Sequence, residues 1–263
     1  MYEKKRRPAH PAPVAPVEET EGQLEGRNAL QEALKSGRTV DKVFIATGEI
    51  DRGLQRLAAE AKEAGAVVVP VDRRKLDAMS FTHAHQGVIA LAAAHAYYSI
   101  DDILEEATAR REAPLIVICD ELSDPHNLGA ILRSAECAGA HGIIIPKRRS
   151  VGLTATVAKA SAGAVEYVKV ARVTNISTVI TELKQKGVWV FGTAAEGSIP
   201  MYQADLTVPC AIVIGNEGAG ISQLVRKSCD VMVNIPMKGR ISSLNASAAA
   251  SILLYEALRQ RLG

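Results

Sequence analysis

Leu115-Ile-Val-Ile-Cys119 is apolar at every position and stops at a carboxylate, after which the chain reads Asp120-Glu-Leu-Ser-Asp-Pro-His-Asn-Leu-Gly-Ala-Ile-Leu-Arg133. A strand with water on one face alternates apolar and polar residues. A strand apolar throughout is covered on both faces, as in a parallel sheet. Pro125 enforces a turn behind the strand. Asn127 has a side chain suited to capping the helix that follows, and that helix carries Arg133. Further apolar runs follow at Gly142–Ile145, Val165–Val170, Val188–Phe191, Ala211–Ile214 and Val231–Ile235, most of them separated by helical patterns. Strands of this kind alternating with helices predict an α/β domain over residues 114–263, with a parallel sheet between two helical layers. No internal repeat of fixed period is visible.

Upstream, residues 22–95 read as a smaller α/β unit. Leu24, Ala29, Leu30, Ala33 and Leu34 form a helical stripe that stops at Gly37. Val43–Ala46, Ala66–Val71 and Gly87–Ala94 are short apolar runs, and Leu54 to Ala64 is an amphipathic helix. Asp72 can cap a short helix through Met79. Residues 96–113 are read as a linker and a surface helix ended by Pro114. Residues 1–21 combine Lys and Arg with Pro8, Pro11, Pro13 and Pro16 and have little to bury, so a disordered tail is expected.

The totals exclude some classes and leave others open. A net charge of +2 neither requires nor forbids nucleic acid; the basic clusters at Lys4–Arg7, Arg73–Lys75, Lys147–Arg149 and Lys238/Arg240 matter more than the sum. Cys119, Cys137, Cys210 and Cys229 show no C-x-x-C spacing, so neither a metal site nor a disulfide framework is expected. No apolar stretch approaches the ~20 residues that cross a bilayer, and no apolar segment follows the basic N-terminus as a secretory signal requires. A cytoplasmic protein with no membrane partner is the expectation.

Ligands of open parallel sheets bind beyond the carboxyl ends of the strands, and four strand-end loops here are rich in polar residues or glycine. The first is Asp120–Arg133. Another is Gly192-Thr-Ala-Ala-Glu-Gly197, whose small residues allow close approach to the backbone. Gly215-Asn-Glu-Gly-Ala-Gly220 lacks both the Gly-Lys-Ser/Thr of a P-loop and the G-x-G-x-x-G dinucleotide fingerprint, which weighs against a nicotinamide-dependent oxidoreductase. Glu217 in that loop argues against a phosphate and for a ligand with donor groups. The last is Ile235-Pro-Met-Lys-Gly-Arg-Ile-Ser-Ser-Leu-Asn245, which precedes a long helix and is more polar than a cap requires.

Three segments in this order, Asp124-Pro-His-Asn-Leu-Gly-Ala-Ile-Leu-Arg133, Ile214-Gly-Asn-Glu-Gly-Ala-Gly220 and Ile235-Pro-Met…Ser243-Leu-Asn245, resemble the three motifs of the SpoU (TrmH) family of RNA ribose 2′-O-methyltransferases. Gly26-Arg-Asn-Ala-Leu and His85-Gln-Gly87 are similar to the substrate-binding domain of the branch that modifies a guanosine in the P loop of bacterial 23S rRNA. The resemblance spans residues 22–263. It implies a trefoil knot in the C-terminal domain, a homodimer formed through that domain, and a ribosomal-protein-like RNA-binding fold at the N-terminus. S-adenosylmethionine is the implied cofactor, held by Thr193, Gly215, Ile235 and Leu244. Arg133 is the implied catalytic residue, with Asn127 orienting it or the RNA, and Glu217, Ser243 and Asn245 completing the site at the dimer interface. Because a guanidinium stays protonated, either an RNA phosphate relays the ribose proton or Arg133 stabilises charge. Arg27, Arg73, His85, Gln86, Lys147 and Arg148 are the RNA-contact candidates. A tRNA target and a non-catalytic RNA-binding or ribosome-assembly protein are the alternatives.

Overall fold

The computed structural model describes residues 22–48, 51–216 and 218–263; the expected tail and Glu217 lie outside the described residues. The N-terminal unit runs β1 (Gln23–Glu25), α1 (Arg27–Lys35), β2 (Val40–Ala46), α2 (Arg52–Glu63), β3 (Val67–Val71), α3 (Arg73–Met79) and β4 (Val88–Ala92). The strands form one sheet in the order β1-β4-β2-β3, with only β2 and β3 parallel. Leu30 and Ala33 of α1 and Leu54, Leu57 and Ala61 of α2 pack with Val43, Ile45, Val88 and Ala90 on one face. Leu76 of α3 packs with Ile89 and Val71 on the other. Asp72 caps α3 by accepting from the Arg74 amide at 2.8 Å. Leu24 belongs to β1 and not to the helical stripe, because Gly26 at φ 89° turns the chain between them.

The larger unit continues with α4 (Ile100–Arg110), β5 (Leu115–Cys119), α5 (Pro125–Cys137), β6 (Gly142–Pro146), α6 (Ala155–Ala160), β7 (Lys169–Val173), α7 (Ile176–Gln185), β8 (Trp189–Thr193), β9 (Ile199–Pro200), β10 (Cys210–Ile214), α8 (Gln223–Ser228), β11 (Val231–Asn234) and α9 (Ala246–Leu262). Its strands form a seven-stranded sheet, β7-β6-β5-β10-β8-β11-β9, parallel at every pairing. The period-two geometry of β5 sends Leu115, Val117 and Cys119 to the layer containing Leu128, Ile131, Leu132, Leu253 and Leu254. It sends Ile116 and Ile118 to the layer of Ile103, Ile176, Ile180, Leu183 and Val225. The order of addition reverses between β5 and β10, which creates a switch point where such sheets bind ligands.

Three expectations change here. Val165 is apolar because it packs in the α5 layer; Ala164–Glu166 is a short 3-10 turn begun by Gly163 at φ 91°, and the strand comes later as β7. Helix α4 is more than a surface helix: Ile103 and Ala107 are buried, and a Cβ on Gly142 would stand 2.6 Å from Ile103. It ends at Arg111, left-handed at φ 58°, before Pro114 is reached. Among the described residues no helix is long and apolar enough to cross a membrane.

Candidate methyl-transfer site

The carboxyl ends of β8, β10 and β11 and the loop leading into α9 surround a cavity of about 320 Å³. Thr193, Gly215, Ile235, Ser243 and Leu244 all line it. The segment after β10 closes on itself: the Asn216 amide donates to the Gly220 carbonyl at 3.1 Å and the Gly220 amide to the Asn216 carbonyl at 2.8 Å. Asn216 Oδ1 accepts from the Gly218 amide at 2.9 Å. A Cβ at Gly215 would lie 2.2 Å from the Gly220 carbonyl carbon and 2.3 Å from the Ile221 nitrogen, so this turn admits only glycine. Gly192 has a different role from the one expected. The space beside it is filled by Cys229, Met232 and Ile221, so it lets β8 pack and does not admit a ligand. The Thr193 hydroxyl donates to the Val213 carbonyl at 2.9 Å, joining β8 to β10 under the cavity.

None of the described residues lining the cavity carries a charge. Buried Asp120, at the end of β5, braces the site from below, its Oδ2 accepting from the Ser222 amide at 2.8 Å. Sequence reasoning missed Asn216 and Asp120 as braces; a polar residue at the last turn of an all-apolar strand is the signal that marks both. No cysteine lines the cavity among the described residues, and burial pushes the Cys119 thiol up to about 12 and those of Cys210 and Cys229 up to about 11.

Helices α5 and α9 stand side by side at the edge of the cavity. Asp124 caps α5, accepting from the His126 amide at 2.8 Å. Asn127 is therefore not the cap: Pro125 occupies the first helical position and sets the cap one residue before itself. Asn127 is buried and accepts a 2.9 Å hydrogen bond from Asn245 Nδ2. Asn245 caps α9, its Oδ1 accepting from the Ser247 amide at 2.9 Å and the Ala248 amide at 3.3 Å. The Ser134 and Ser251 hydroxyls meet at 2.7 Å further along the two helices. Gly129, where a Cβ would come within 2.5 Å of the Ala160 Cβ, presses α5 against α6. Arg133 leaves this fixed helix into solvent and pairs with none of the described residues, nor does it line the cavity of its own chain. Six residues of helix rotate a side chain by about 240°, so Asn127 and Arg133 leave on different faces, and Asn127 holds Asn245 rather than Arg133.

The expected RNA contacts fall into two groups. Arg73, Gln86 and Arg148 are exposed and Lys147 is half-buried. Arg27 pairs with Asp51 at 2.7 Å and donates through Nε to the Gln86 carbonyl at 3.3 Å. His85 is a correction: it is buried, with Nε2 2.9 Å from Asp77 Oδ1 and Nδ1 accepting from the Gly87 amide at 3.1 Å, so it braces the loop from inside. Glu25 is the other brace. Burial opposes its ionisation, but Thr82, Ser80, the Phe81 amide and Gln23 all donate to it and hold its carboxyl at about 2.

Known proteins share this arrangement. Residues 114–255 match the model of the SpoU rRNA methylase family, and residues 23–98 match that of the RNA 2′-O ribose methyltransferase substrate-binding domain. A putative TrmH family tRNA/rRNA methyltransferase of Bacillus subtilis, YacO, is 48% identical over 236 residues, covering 90% of this chain and 94% of that protein. The fold resembles the SpoU methyltransferase AviRb from Streptomyces viridochromogenes, crystallised with AdoMet, at 28% identity and a TM-score of 0.58, over 91% of this chain and 90% of that one. An AdoMet-bound rRNA methyltransferase from Sinorhizobium meliloti is similar at 26% identity and a TM-score of 0.58, over 92% and 88% of the two chains. With the three motif loops gathered at one end of the parallel sheet and a substrate-binding unit ahead of it, the chain belongs to the SpoU rRNA methylase family.

Proposed function

We propose that this chain transfers a methyl group from S-adenosylmethionine to a ribose 2′-oxygen of RNA, and that its target is a guanosine in the P loop of 23S rRNA. The observation that carries the reading is the cavity built around Gly215, uncharged among its described lining residues. Its volume falls within the ~300–1,000 Å³ of small-molecule sites, and a neutral lining suits a ligand that carries a sulfonium. The backbone at Thr193, Gly215, Ile235 and Leu244 holds the cofactor, with Ser243 at the mouth and Asn245 fixing the loop; Glu217 completes the site as the family resemblance implies. When bound, S-adenosylmethionine supplies an electrophilic methyl group. Arg133, permanently protonated, grips an RNA phosphate and stabilises the negative charge that develops on the ribose oxygen.

Arg133 acts on the cavity of a second copy. It is exposed, pairs with none of the described residues and does not line its own cavity. Helix α9, which packs against the helix of Arg133, and the loop before it carry apolar side chains that a monomer leaves in water: Ile252 and Tyr255 on α9, and Leu244 and Ile241 before it, the last 75% exposed. A homodimer through α5 and α9 covers these side chains and completes two sites. The trefoil knot belongs to the same reading, supported by the crowding of the loops after β8, β10 and β11 around one cavity.

Residues 22–95 are the RNA-binding unit, 96–113 the connection and 114–263 the methyltransferase domain. Arg27, Arg73, Gln86, Lys147 and Arg148 supply the RNA contacts. An rRNA target is favoured by a contrast among similar structures. The Sinorhizobium rRNA methyltransferase covers 92% of this chain, whereas the A. aeolicus TrmH/SpoU tRNA modifying enzyme covers 61%.

The test mixes Arg133→Ala and Gly215→Ala after dissociation and reassociation, at an S-adenosylmethionine concentration that fills the wild-type cavity but not that of Gly215→Ala. Shared sites restore methyl transfer to about a quarter of the wild-type level, because half the dimers are mixed and each has one intact site. No recovery from a mixture shown to contain mixed dimers places Arg133 at its own cavity and overturns the assignment.

A further inference from the structure

The two units meet through a buried polar cluster that the methyl-transfer site does not use. Asp41 belongs to β2, Arg172 to β7 and Tyr97 to the chain between them. Arg172 Nη1 stands 2.8 Å from Asp41 Oδ1, an ion pair rather than an aligned hydrogen bond, with side-chain exposures of 7% and 9%. Arg172 Nη2 donates to the Asp41 carbonyl at 2.9 Å and to the Lys147 carbonyl at 3.3 Å. The Tyr97 hydroxyl donates to Asp41 Oδ2 at 2.8 Å and accepts from the Leu153 amide at 2.8 Å. The guanidinium lies 5.5 Å from the centre of the Tyr97 ring. Gly152 approaches so closely that a Cβ there would stand 2.0 Å from Asp41 Oδ2 and 2.8 Å from the Tyr97 oxygen.

Such a cluster is a costly way to join two units. Burial pushes the Asp41 carboxyl up, against the pull of Arg172, Tyr97 and Lys42, and apolar side chains of similar volume often stabilise a buried site at least as well. Direction is what the polar version adds. A guanidinium anchored in its own unit by the Lys147 carbonyl and bound across the junction to the carboxylate and carbonyl of Asp41 is satisfied at one relative angle of the units, whereas interfaces between domains ordinarily permit motion. Lys147 opens the basic loop that continues to Arg149. Glu121, at the end of β5, pairs with Arg149 of that loop at 3.0 Å and accepts at its carbonyl from Asn216 Nδ2 at 3.4 Å. The junction is thus linked through the loop to the turn that lines the cavity.

We infer that Asp41, Arg172 and Tyr97 are positioning residues that lock the RNA-binding unit at one angle to the methyl-transfer cavity, so that bound RNA presents its ribose there. This rests on the function proposed above. RNA held at a wrong angle is still bound but is methylated slowly, since displacement of about 1 Å costs as much as 10²-fold in rate.

The test uses Asp41→Asn and Tyr97→Phe in the full chain, which keep the size of each side chain. Three quantities are read: kcat for RNA methylation, the Kd values for RNA and S-adenosylmethionine, and hydrogen exchange at Ala94, whose amide donates to the Leu153 carbonyl across the junction, and at Leu153, whose amide donates to Tyr97 of the connecting chain and whose reading counts in Asp41→Asn. We expect kcat to fall about 10-fold with both Kd values within about 2-fold of wild type, and exchange at the two amides to quicken about 10-fold. Arg172→Lys, which keeps the charge, recovers part of the kcat lost in Arg172→Ala. Faster exchange with an unchanged kcat refutes the positioning role. Unchanged exchange in both variants refutes the lock. A wild-type chain that methylates no RNA overturns the functional reading and the positioning role with it, while exchange still decides whether the junction is locked.

Discussion

Replacing Gly215 by alanine tests how the cavity proposed for the cofactor is built. The added Cβ would stand 2.2 Å from the Gly220 carbonyl carbon, 2.3 Å from the Ile221 nitrogen and 2.5 Å from the Gly220 oxygen. Carbon atoms in contact sit about 3.5–4.0 Å apart, so the overlap exceeds 1 Å, and it is with backbone, which no rotamer change can move. Relief requires the turn from Asn216 to Gly220 to open, stretching the paired 3.1 and 2.8 Å backbone bonds that close it. Strain of this kind costs about 1–3 kcal/mol, and about 1 kcal/mol shifts the melting temperature of a domain of this size by roughly 2–4 °C. Asn216, Gly218 and Gly220 line the cavity, so the same movement deforms the cofactor site and lowers affinity by at least about 10-fold, or about 1.4 kcal/mol. Gly218→Ala is the control: its Cβ would meet nothing nearer than Asn216 Oδ1 at 3.6 Å. Calorimetric titration with S-adenosylmethionine and thermal denaturation of both variants decide the matter. Wild-type affinity and stability in Gly215→Ala, or equal damage from Gly218→Ala, would refute the reasoning.

Arg133→Ala should leave the Kd for S-adenosylmethionine unchanged and lower turnover by about 10²-fold or more in a single-turnover assay; wild-type turnover removes Arg133 from the mechanism. Glu25→Gln should destabilise the N-terminal unit at neutral pH by about 1–2 kcal/mol, after allowance for solvent screening. Because the folded carboxyl is held at about 2 against an ordinary 4.5, its contribution is present above 4.5 and is lost as pH falls toward 2. Urea melts of wild type and variant should therefore converge in acid; a gap constant from pH 7 to pH 3 contradicts this. Lys147→Gln with Arg148→Gln should weaken RNA binding and lower the slope of log K against log salt by about 1–2, and an unchanged slope removes them as phosphate contacts.

Five-residue strands such as Leu115–Cys119 were legible because a parallel sheet between two helical layers needs apolar residues on both faces, and the layers demand that of Ile116 as much as of Val117. The same logic misleads at Val165, where burial comes from α5 and not from a strand. Burial alone does not say which element supplies it. The two residues of β9 are too few to show a period. At the site, the strand-end loops could be anticipated from the sheet, but Thr193, Gly215, Ile235 and Leu244 were expected only through the family resemblance, and all four line the cavity. The separate duties of Gly192 and Gly215 could not be anticipated, since both are simply small: one gives way to Cys229 and Met232 and the other to its own turn. The cap of α5 was readable after all, because Pro125 leaves only Asp124 in the capping place. The pairing of Asn127 with Asn245, 118 residues apart, had no local signal.

The central claim is methyl transfer to a ribose oxygen, and the most direct measurement is transfer of tritium from labelled S-adenosylmethionine into unmodified bacterial 23S rRNA and tRNA, with the product mapped by resistance to alkaline cleavage. The account predicts label at one loop guanosine of 23S rRNA and an alkali-resistant bond at that nucleotide. Label in tRNA at an alkali-resistant bond would keep the chemistry and contradict the target, and label that leaves every linkage alkali-sensitive, or no label in either RNA, would contradict the claim itself.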